Sequence, residues 1–234
     1  MALTHAVIFD VDGTLIDSND AHAHAWVEAL IACGHPVTFA QVRPLIGMGG
    51  DKILPRLAGV EKESAEGKAI DARRSALFSR TYLPKLHAFP GTRELLLALH
   101  GRGLRLVVAS SSKEDELKPL LALTGAPEVF AARTSSKEAP ESKPDPDVVH
   151  AALQRTGAPA AEVVMVGDTP YDFEAARRAG LRFVGVRCGG WGDGTFAGAV
   201  AVYDGPADLL AQLDRSPLAP EAGSTAGAGS APGD

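Results

Sequence analysis

The stretch that most constrains this chain is HAVIFDVDGTLIDS, residues 5–18. Its four consecutive apolar residues, 6–9, predict a parallel strand that is buried on both faces. The run stops at Asp10, Asp12 and Gly13, so two carboxylates lie where the strand ends. In open α/β sheets, ligands bind at the carboxyl ends of the strands. Because like charges this close repel each other, the sequence predicts a site in which one carboxylate stays protonated or both share a cation.

Polar residues also follow two later predicted strands. Ser110 and Ser111 follow the strand predicted at 104–109, and hydroxyl groups together with the backbone N–H groups that open a helix can bind phosphate. Asp168 follows the strand predicted at 162–166. Each segment also opens a predicted helix. Helix capping is therefore the alternative interpretation of the serines, and a favourable helix dipole is the alternative for the acid.

Four segments, in this order, resemble the motifs of the haloacid dehalogenase-like superfamily: DVDGT at 10–14, a serine at 110, SKPDP at 142–146 and GDTPYD at 167–172. The resemblance implies that Asp10 is a nucleophile, which takes a phosphoryl group as an aspartyl phosphate. It implies that Asp12 is the general acid and base. It further implies that Ser110, Ser111 and Lys143 bind the phosphoryl oxygens.

The same resemblance implies Mg²⁺ as the cofactor. This hard cation takes oxygen ligands in near-octahedral geometry and usually keeps some water. The implied protein ligands are the Asp10 carboxylate, the backbone carbonyl of Asp12 and the Asp168 carboxylate, with the substrate phosphate and water completing the set. Asp172 would orient Lys143 or a metal-bound water without binding the ion itself.

The pattern from Asn19 to about Tyr82 is helical, without a convincing strand. Asn19 or Asp20 can cap its first helix, and its last helix is predicted at 61–82. The pattern predicts an all-helical cap domain, 18–85, inserted into an α/β core of residues 1–17 and 86–215. The alternation of strands and helices in the core predicts a doubly wound, Rossmann-like parallel sheet. The cap resembles that of the phosphoglycolate phosphatase and β-phosphoglucomutase branch. Residues 216–234, rich in Ala, Gly, Ser and Pro, are predicted to be a disordered tail.

The cap loop GMGGDK, 47–52, bears on the substrate. The mutases of this branch usually show an arginine where this chain has Gly50, and they tend to carry a glutamate where it has Gly167. Both departures favour hydrolysis over phosphoryl shuttling, although His22 matches the hinge histidine of the mutases. Gly49 and Gly50 would let the backbone approach the leaving group. Lys52 is either an anion contact or a solvent-facing charge.

Composition excludes several other classes of protein. A chain of 234 residues with 45% hydrophobic residues can bury a full core. The net charge of −6 argues against nucleic acid or an anionic membrane as the main partner. No apolar run approaches the ~20 residues of a membrane span, and no leader is recognisable, so we expect a cytoplasmic protein. Two cysteines are too few for a disulfide framework or a thiolate metal site.

These observations predict a Mg²⁺-dependent phosphatase of small phosphomonoesters, of the sugar phosphate or phosphoglycolate type. Its partner would be a small phosphorylated metabolite, and no protein partner can be inferred. One alternative is a phosphosugar mutase of the β-phosphoglucomutase type, which would need a bisphosphate activator. The other is a non-catalytic binding module, because a fold does not fix a function. The complete set of motif residues argues against the module.

Overall fold

The computed structural model describes residues 3–136 and 138–219, except for the side chain of residue 193. Six parallel strands form one sheet in the order β3-β2-β1-β4-β5-β6. The strands are β1 Ala6–Phe9, β2 Arg105–Ala109, β3 Phe130–Thr134, β4 Val163–Gly167, β5 Arg182–Val186 and β6 Ala201–Tyr203. This order, with helices on both faces, confirms the predicted α/β doubly wound fold.

Strand β1 lies in the middle of the sheet, between β2 and β4. All four of its side chains are buried, because helices cover both faces. Val7 and Phe9 belong to one hydrophobic cluster, and Ala6 and Ile8 belong to the cluster on the opposite face. Burial of each large apolar side chain of this kind contributes about 1.5–3 kcal/mol. The strand is thereby fixed, and the acids that follow it have little positional freedom.

Helices connect the strands. The α-helices are α1 Asn19–Ala32, α2 Phe39–Val42, α3 Gly50–Ala58, α4 Ala65–Leu77, α5 Thr92–Gly101, α6 Glu114–Leu123, α7 Asp147–Thr156, α8 Pro170–Arg178 and α9 Pro206–Ala211. Short 3₁₀ turns and one π-turn, Phe78–Tyr82, complete the ordered segments. Among the described residues, no helix is both long and apolar enough to cross a membrane.

Helices α1 to α4 lie between β1 and β2 in the sequence and share a third hydrophobic cluster. Trp26 of α1, Leu54 of α3 and Ile70 of α4 are among its buried members. This helical block coincides with the predicted cap, whose status as a separate domain stays a prediction. The last cap helix was predicted from Glu61, yet α4 begins at Ala65, because the Ser64 hydroxyl accepts a hydrogen bond from the Gly67 N–H and caps it there.

The predicted tail, 216–234, begins with residues that pack on the core. Leu218 is fully buried, and the Thr4 hydroxyl donates a hydrogen bond of 2.8 Å to the carbonyl of Pro217. The Ser216 hydroxyl donates to the carbonyl of Leu213. The ordered chain therefore extends to at least residue 219, since one buried leucine outweighs the polar composition around it. Residues 220–234 lie outside the described residues.

Candidate active site

The carboxyl ends of three neighbouring strands bring the motif residues together. Asp10 follows β1, Ser110 follows β2, and Asp168 follows β4. The Asp10 N–H donates to the carbonyl of Val166 at 3.0 Å, so the strand ladder continues to this residue. Asp10 and Asp168 are both buried. The position of each acid is thus set by backbone hydrogen bonds and by the packed sheet beneath it.

Lys143 reaches the same point from the loop before α7. Its side chain is 1% exposed, and its ammonium donates to Asp10 Oδ1 at 2.5 Å and to the carbonyl of Ala109 at 2.9 Å. It also lies 2.7 Å from Asp172 Oδ1. Burial opposes its charge, but Asp10 and Asp172 raise the pKa of Lys143 above its usual range. The lysine is therefore a fixed cation inside the site.

Three buried carboxylates, of Asp10, Asp168 and Asp172, each offer an oxygen within 4.8 Å of the others. Both oxygens of Asp172 are occupied by protein groups, since Oδ1 lies beside Lys143 and Oδ2 accepts the hydroxyl of Thr169 at 2.6 Å. Asp172 contacts Lys143 directly, and its role in orienting this lysine or a metal-bound water stays a prediction. The oxygens of Asp10 and Asp168 suit a hard divalent cation.

The charges of the three carboxylates and of Lys143 do not balance. Burial, together with Asp172 and Asp12, raises the pKa of Asp10 to about 7, even though Lys143 opposes the shift. Burial and the same kind of repulsion, from Asp172 and Asp10, raise the pKa of Asp168 well above its usual range. In the part of the chain that the structure describes, one ammonium faces three carboxylates, so the residues present fit a bound divalent cation.

Asp12 lies only two residues from Asp10 but has a different environment. Its Oδ1 accepts the Ser18 hydroxyl at 2.5 Å and lies 2.8 Å from His22 Nε2, and its Oδ2 accepts the Ser112 hydroxyl at 2.8 Å. Burial alone would raise its pKa, but His22 and the two hydroxyls hold the pKa of Asp12 below its usual range. His22, predicted as a cap residue, therefore contacts the second motif acid directly.

The two serines differ in their contacts. Ser110 is fully buried, and its hydroxyl accepts the N–H of Ser112 at 3.0 Å. Ser111 lines the cavity above Asp10, and its buried hydroxyl has no hydrogen-bond partner among the described residues. The Ser111 hydroxyl is therefore available to an incoming oxygen atom.

Sequence reasoning missed two residues that hold the acids. The Thr14 hydroxyl lies 3.0 Å from Asp168 Oδ1 and 3.3 Å from Asp10 Oδ2. The Asn19 amide donates to Asp168 Oδ2 at 2.8 Å. Thr14 lies within the first motif, which is the sequence signal for its place in the site. The sequence predicts Asn19 as a possible helix cap, but Ser18 occupies that position.

A cavity of about 50 Å³ separates Asp10 from the helical block. On the helical side it is lined by Trp26, Arg74 and the loop with Gly49 and Gly50. The Gly49 N–H donates to the Ser142 hydroxyl at 2.9 Å, and a Cβ at this glycine would come within 2.8 Å of the Ser142 Cβ. The loop can approach the core this closely because glycine stands there.

Lys52, predicted as a cap candidate, does not line this cavity. Its ammonium contacts the carboxylate of Glu141 and lies 2.9 Å from Asp145, on the surface between the helical block and the loop before α7. The structure therefore gives this lysine two carboxylate partners from the core.

A different cation, Arg74, lines the cavity instead. It belongs to a group of four charged residues that we call the Arg74 cluster: Asp71, Arg74, Lys113 and Glu116. The guanidinium donates to Glu116 at 2.6 Å and lies 3.4 Å from Asp71, which is 2.6 Å from the Lys113 ammonium. It also lies over the Trp26 ring, 5.3 Å from the ring centroid. Nothing in the sequence distinguishes these four charged residues from solvent-exposed charges on a helix.

The fold and this arrangement of acids, lysine and serine define one class of enzyme. The family model of the haloacid dehalogenase-like hydrolases matches residues 7–186, and the chain belongs to this family. The resemblance in the motifs is thereby confirmed.

Within the family, the chain is similar to phosphatases. A phosphoglycolate phosphatase encoded on a plasmid of Cupriavidus necator is 34% identical over 224 residues, covering 93% of this chain and 96% of the relative. The probable phosphatase IndB of Dickeya dadantii is 33% identical over 186 residues, covering 78% of this chain and 81% of the relative. These relatives support a phosphatase of the haloacid dehalogenase-like family.

Solved structures of similar proteins have the same fold as this chain. A hydrolase from Pseudomonas syringae superposes with a TM-score of 0.84 at 32% identity, over 91% of this chain and 99% of that chain. CbbY from Rhodobacter sphaeroides, solved in complex with phosphate, has a TM-score of 0.73 at 27% identity, over 91% of this chain and 100% of that chain.

Proposed function

We propose that this protein is a Mg²⁺-dependent phosphatase of small phosphomonoesters that works through an aspartyl phosphate. The observation that carries the proposal is the buried cluster in which Asp10 lies 2.5 Å from the Lys143 ammonium and beside Asp168, directly under the cavity. A carboxylate in this position can attack phosphorus in line, because the sheet holds it rigidly and the cavity opens above it.

The fixed cation and the serine support the first step. Lys143 is held between Asp10 and Asp172, so its ammonium can stabilise the charge of the transferring phosphoryl oxygens without reorganising. Ser111 can donate its unpaired hydroxyl to the same oxygens. Asp10 and Asp168, with the Asp12 carbonyl, would hold Mg²⁺. When bound, the ion would neutralise charge on the phosphoryl group and on the acids.

Asp12 would move the protons. It lines the cavity, and its ionised form fits the second step, in which it takes a proton from the water that attacks the aspartyl phosphate. In the first step the same carboxyl gives a proton to the leaving oxygen. This requires the hydrogen bonds from Ser18, His22 and Ser112 to weaken when substrate enters, since those bonds favour the ionised form.

The cavity favours a small leaving group. Its helical wall combines the Trp26 ring, the Arg74 guanidinium and close backbone at Gly49 and Gly50. Relatives named phosphoglycolate phosphatase support a substrate of the phosphoglycolate or sugar phosphate type. Arginine is absent from the cap-loop position where the mutases carry it, and Gly50 stands there instead, which supports hydrolysis.

Phosphate release from a panel of sugar phosphates, phosphoglycolate and nucleotides, with Mg²⁺ or with EDTA, tests the proposal. We expect release that requires Mg²⁺ and is lost in Asp10→Asn. Asp214→Asn is the matched control, because its side chain is 87% exposed and far from the motifs in sequence. A folded protein that releases phosphate from none of these compounds, or equally well after Asp10→Asn, would contradict the proposal.

A further inference from the structure

Asn19 connects the helical block to the core of the site. It is the first residue of α1, yet its side chain is 97% buried and does not cap that helix. Its amide nitrogen donates to Asp168 Oδ2 at 2.8 Å and to the carbonyl of Gly189 at 3.2 Å. The Gly189 carbonyl can only accept, as can the ionised Asp168 carboxylate that would bind a cation, so the amide nitrogen faces them.

The surroundings of Asp168 leave its carboxylate one orientation. Oδ1 accepts the Thr14 hydroxyl at 3.0 Å, and Oδ2 accepts the Asn19 amide. A Cβ at Gly13 would lie 2.1 Å from Asn19 Nδ2, and one at Gly189 would lie 1.7 Å from Asp168 Oδ2. The two glycines therefore leave room for the contact between the Asn19 amide and Asp168. A side chain at either position would displace one of the two groups.

Asn19 also has an atom that its protein contacts do not explain. Its Oδ1 is buried without a hydrogen-bond partner among the described residues. A buried acceptor without a partner is costly, and water or a hydrated ion is the usual explanation. The atom belongs to the same amide that holds Asp168, so both observations concern one place in the site.

We propose that Asn19 is a positioning residue, which orients the Asp168 carboxylate for the divalent cation from the first turn of α1. The inference rests on the proposed function, because it takes Asp168 as a ligand of Mg²⁺. Groups that hydrogen-bond to metal-binding carboxylates typically change metal affinity by about 10- to 100-fold when removed. Asn19 would exert this effect without touching the substrate.

The test is Mg²⁺ binding by isothermal titration calorimetry on the full chain, without substrate. We expect Asn19→Ala and Asn19→Leu to weaken binding by about 10- to 100-fold. Leucine keeps the branched shape of the side chain and removes only its polar groups. Unfolding temperatures in EDTA report whether each variant is folded. Excess Mg²⁺ should restore phosphate release in both variants, which a merely structural defect would not allow.

Tyr171→Phe is the matched control. It removes a hydrogen bond of 2.6 Å from Tyr171 to the carbonyl of Pro44, which also joins the helical block to the core but does not involve Asp168. Its Mg²⁺ affinity should equal that of the wild type. An equal loss in this control, or a folded Asn19 variant that binds within twofold of the wild type, would overturn the inference alone. A wild type that binds no Mg²⁺ would overturn the metal dependence and the inference together.

Discussion

The acids on the sheet side of the cavity outnumber their partners, whereas the charges on the helical side are paired. On the sheet side, the Lys143 ammonium contacts Asp10 and Asp172 and is the one cation of this group among the described residues. Asp168, within 4.8 Å of both acids, accepts hydrogen bonds from the neutral side chains of Thr14 and Asn19. The Arg74 cluster holds two acids and two cations, with contacts of 2.6–3.4 Å. Arg74, Asp71 and Glu116 are buried like the acids on the sheet side, whereas the Lys113 side chain is 34% exposed.

This difference separates two uses of buried charge. A balanced cluster satisfies itself and can hold two parts of a protein together. An unbalanced one remains strained until a cation enters, which is how a metal site keeps its affinity. The raised pKa of Asp10, about 7, and the raised pKa of Asp168 are the electrostatic mark of the unbalanced cluster. Substitutions in either cluster test this difference.

The largest effect is expected from Lys143→Met, which removes the one cation that the described residues place in the unbalanced cluster. Loss of one fixed electrostatic group typically lowers kcat by about 100- to 1,000-fold. Breaking a buried ion pair costs about 3–5 kcal/mol of unfolding free energy. Phosphate release and urea unfolding in EDTA measure the two effects. Lys118→Met, at an exposed position of α6, is the control. Wild-type activity in Lys143→Met would refute the role of this lysine.

Next in size is Arg74→Met in the balanced cluster. The change leaves Glu116 buried without its partner and should cost about 3–5 kcal/mol of unfolding free energy. The double variant Arg74→Met, Glu116→Leu should recover most of this loss, because the remaining pair, Asp71 and Lys113, is complete. Urea unfolding of the single and double variants forms the test. If the double variant is no more stable than Arg74→Met, the stability of the Arg74 cluster does not depend on each acid having its own cation.

A smaller effect is the pH dependence of the metal-free protein. The pKa of Asp10 rises from 3.8 to about 7 on folding, so the folded state binds more protons than the unfolded state between these values. The stabilisation is complete below pH 4 and is lost as the pH rises towards 7, by up to about 1.4 kcal/mol per pH unit. Urea unfolding at pH 5, 6 and 7 measures this slope.

Asp10→Asn should reduce the slope, because it removes the titration of this carboxyl and leaves that of Asp168, whose pKa is also raised. Mg²⁺ should flatten the slope further, because a bound cation favours the ionised form of both carboxyls. A metal-free protein whose stability does not fall between pH 5 and 7 would show that the sheet-side cluster is not short of positive charge.

Most of the fold and the sheet-side acids could be predicted from the sequence, because both depend on local patterns. The apolar run that became β1 is buried on both faces, and the acids directly follow it. A side chain at the end of a buried strand has little positional freedom, because the backbone on which it stands is fixed. The order of the motifs then predicted that Asp10, Lys143 and Asp168 share one sheet edge.

The rest depends on contacts between distant helices, which the sequence does not display. Arg74 on α4 pairs with Glu116 on α6, 42 residues away, so neither charge could be distinguished from a solvated one. Asn19 looked like a helix cap, but the packing of α1 turned its amide towards Asp168 instead. The pattern within one strand predicts where its last side chains lie, whereas it does not predict which side chains pair between two helices that are distant in sequence.

Substitution of Lys52, on the helical side, has the smallest expected effect. Its ammonium lies 2.9 Å from Asp145 and contacts Glu141, and both partners are at least one-third exposed, so the interaction should contribute only about 0.2–1 kcal/mol. Lys52→Met should leave the KM for phosphomonoesters within about twofold of the wild type, because the lysine does not line the cavity. Steady-state kinetics with the best substrate of the panel measures this. A KM raised tenfold, equivalent to about 1.4 kcal/mol of lost binding, would show that Lys52 leaves its carboxylates for the substrate and that the helical wall is not fully paired during turnover.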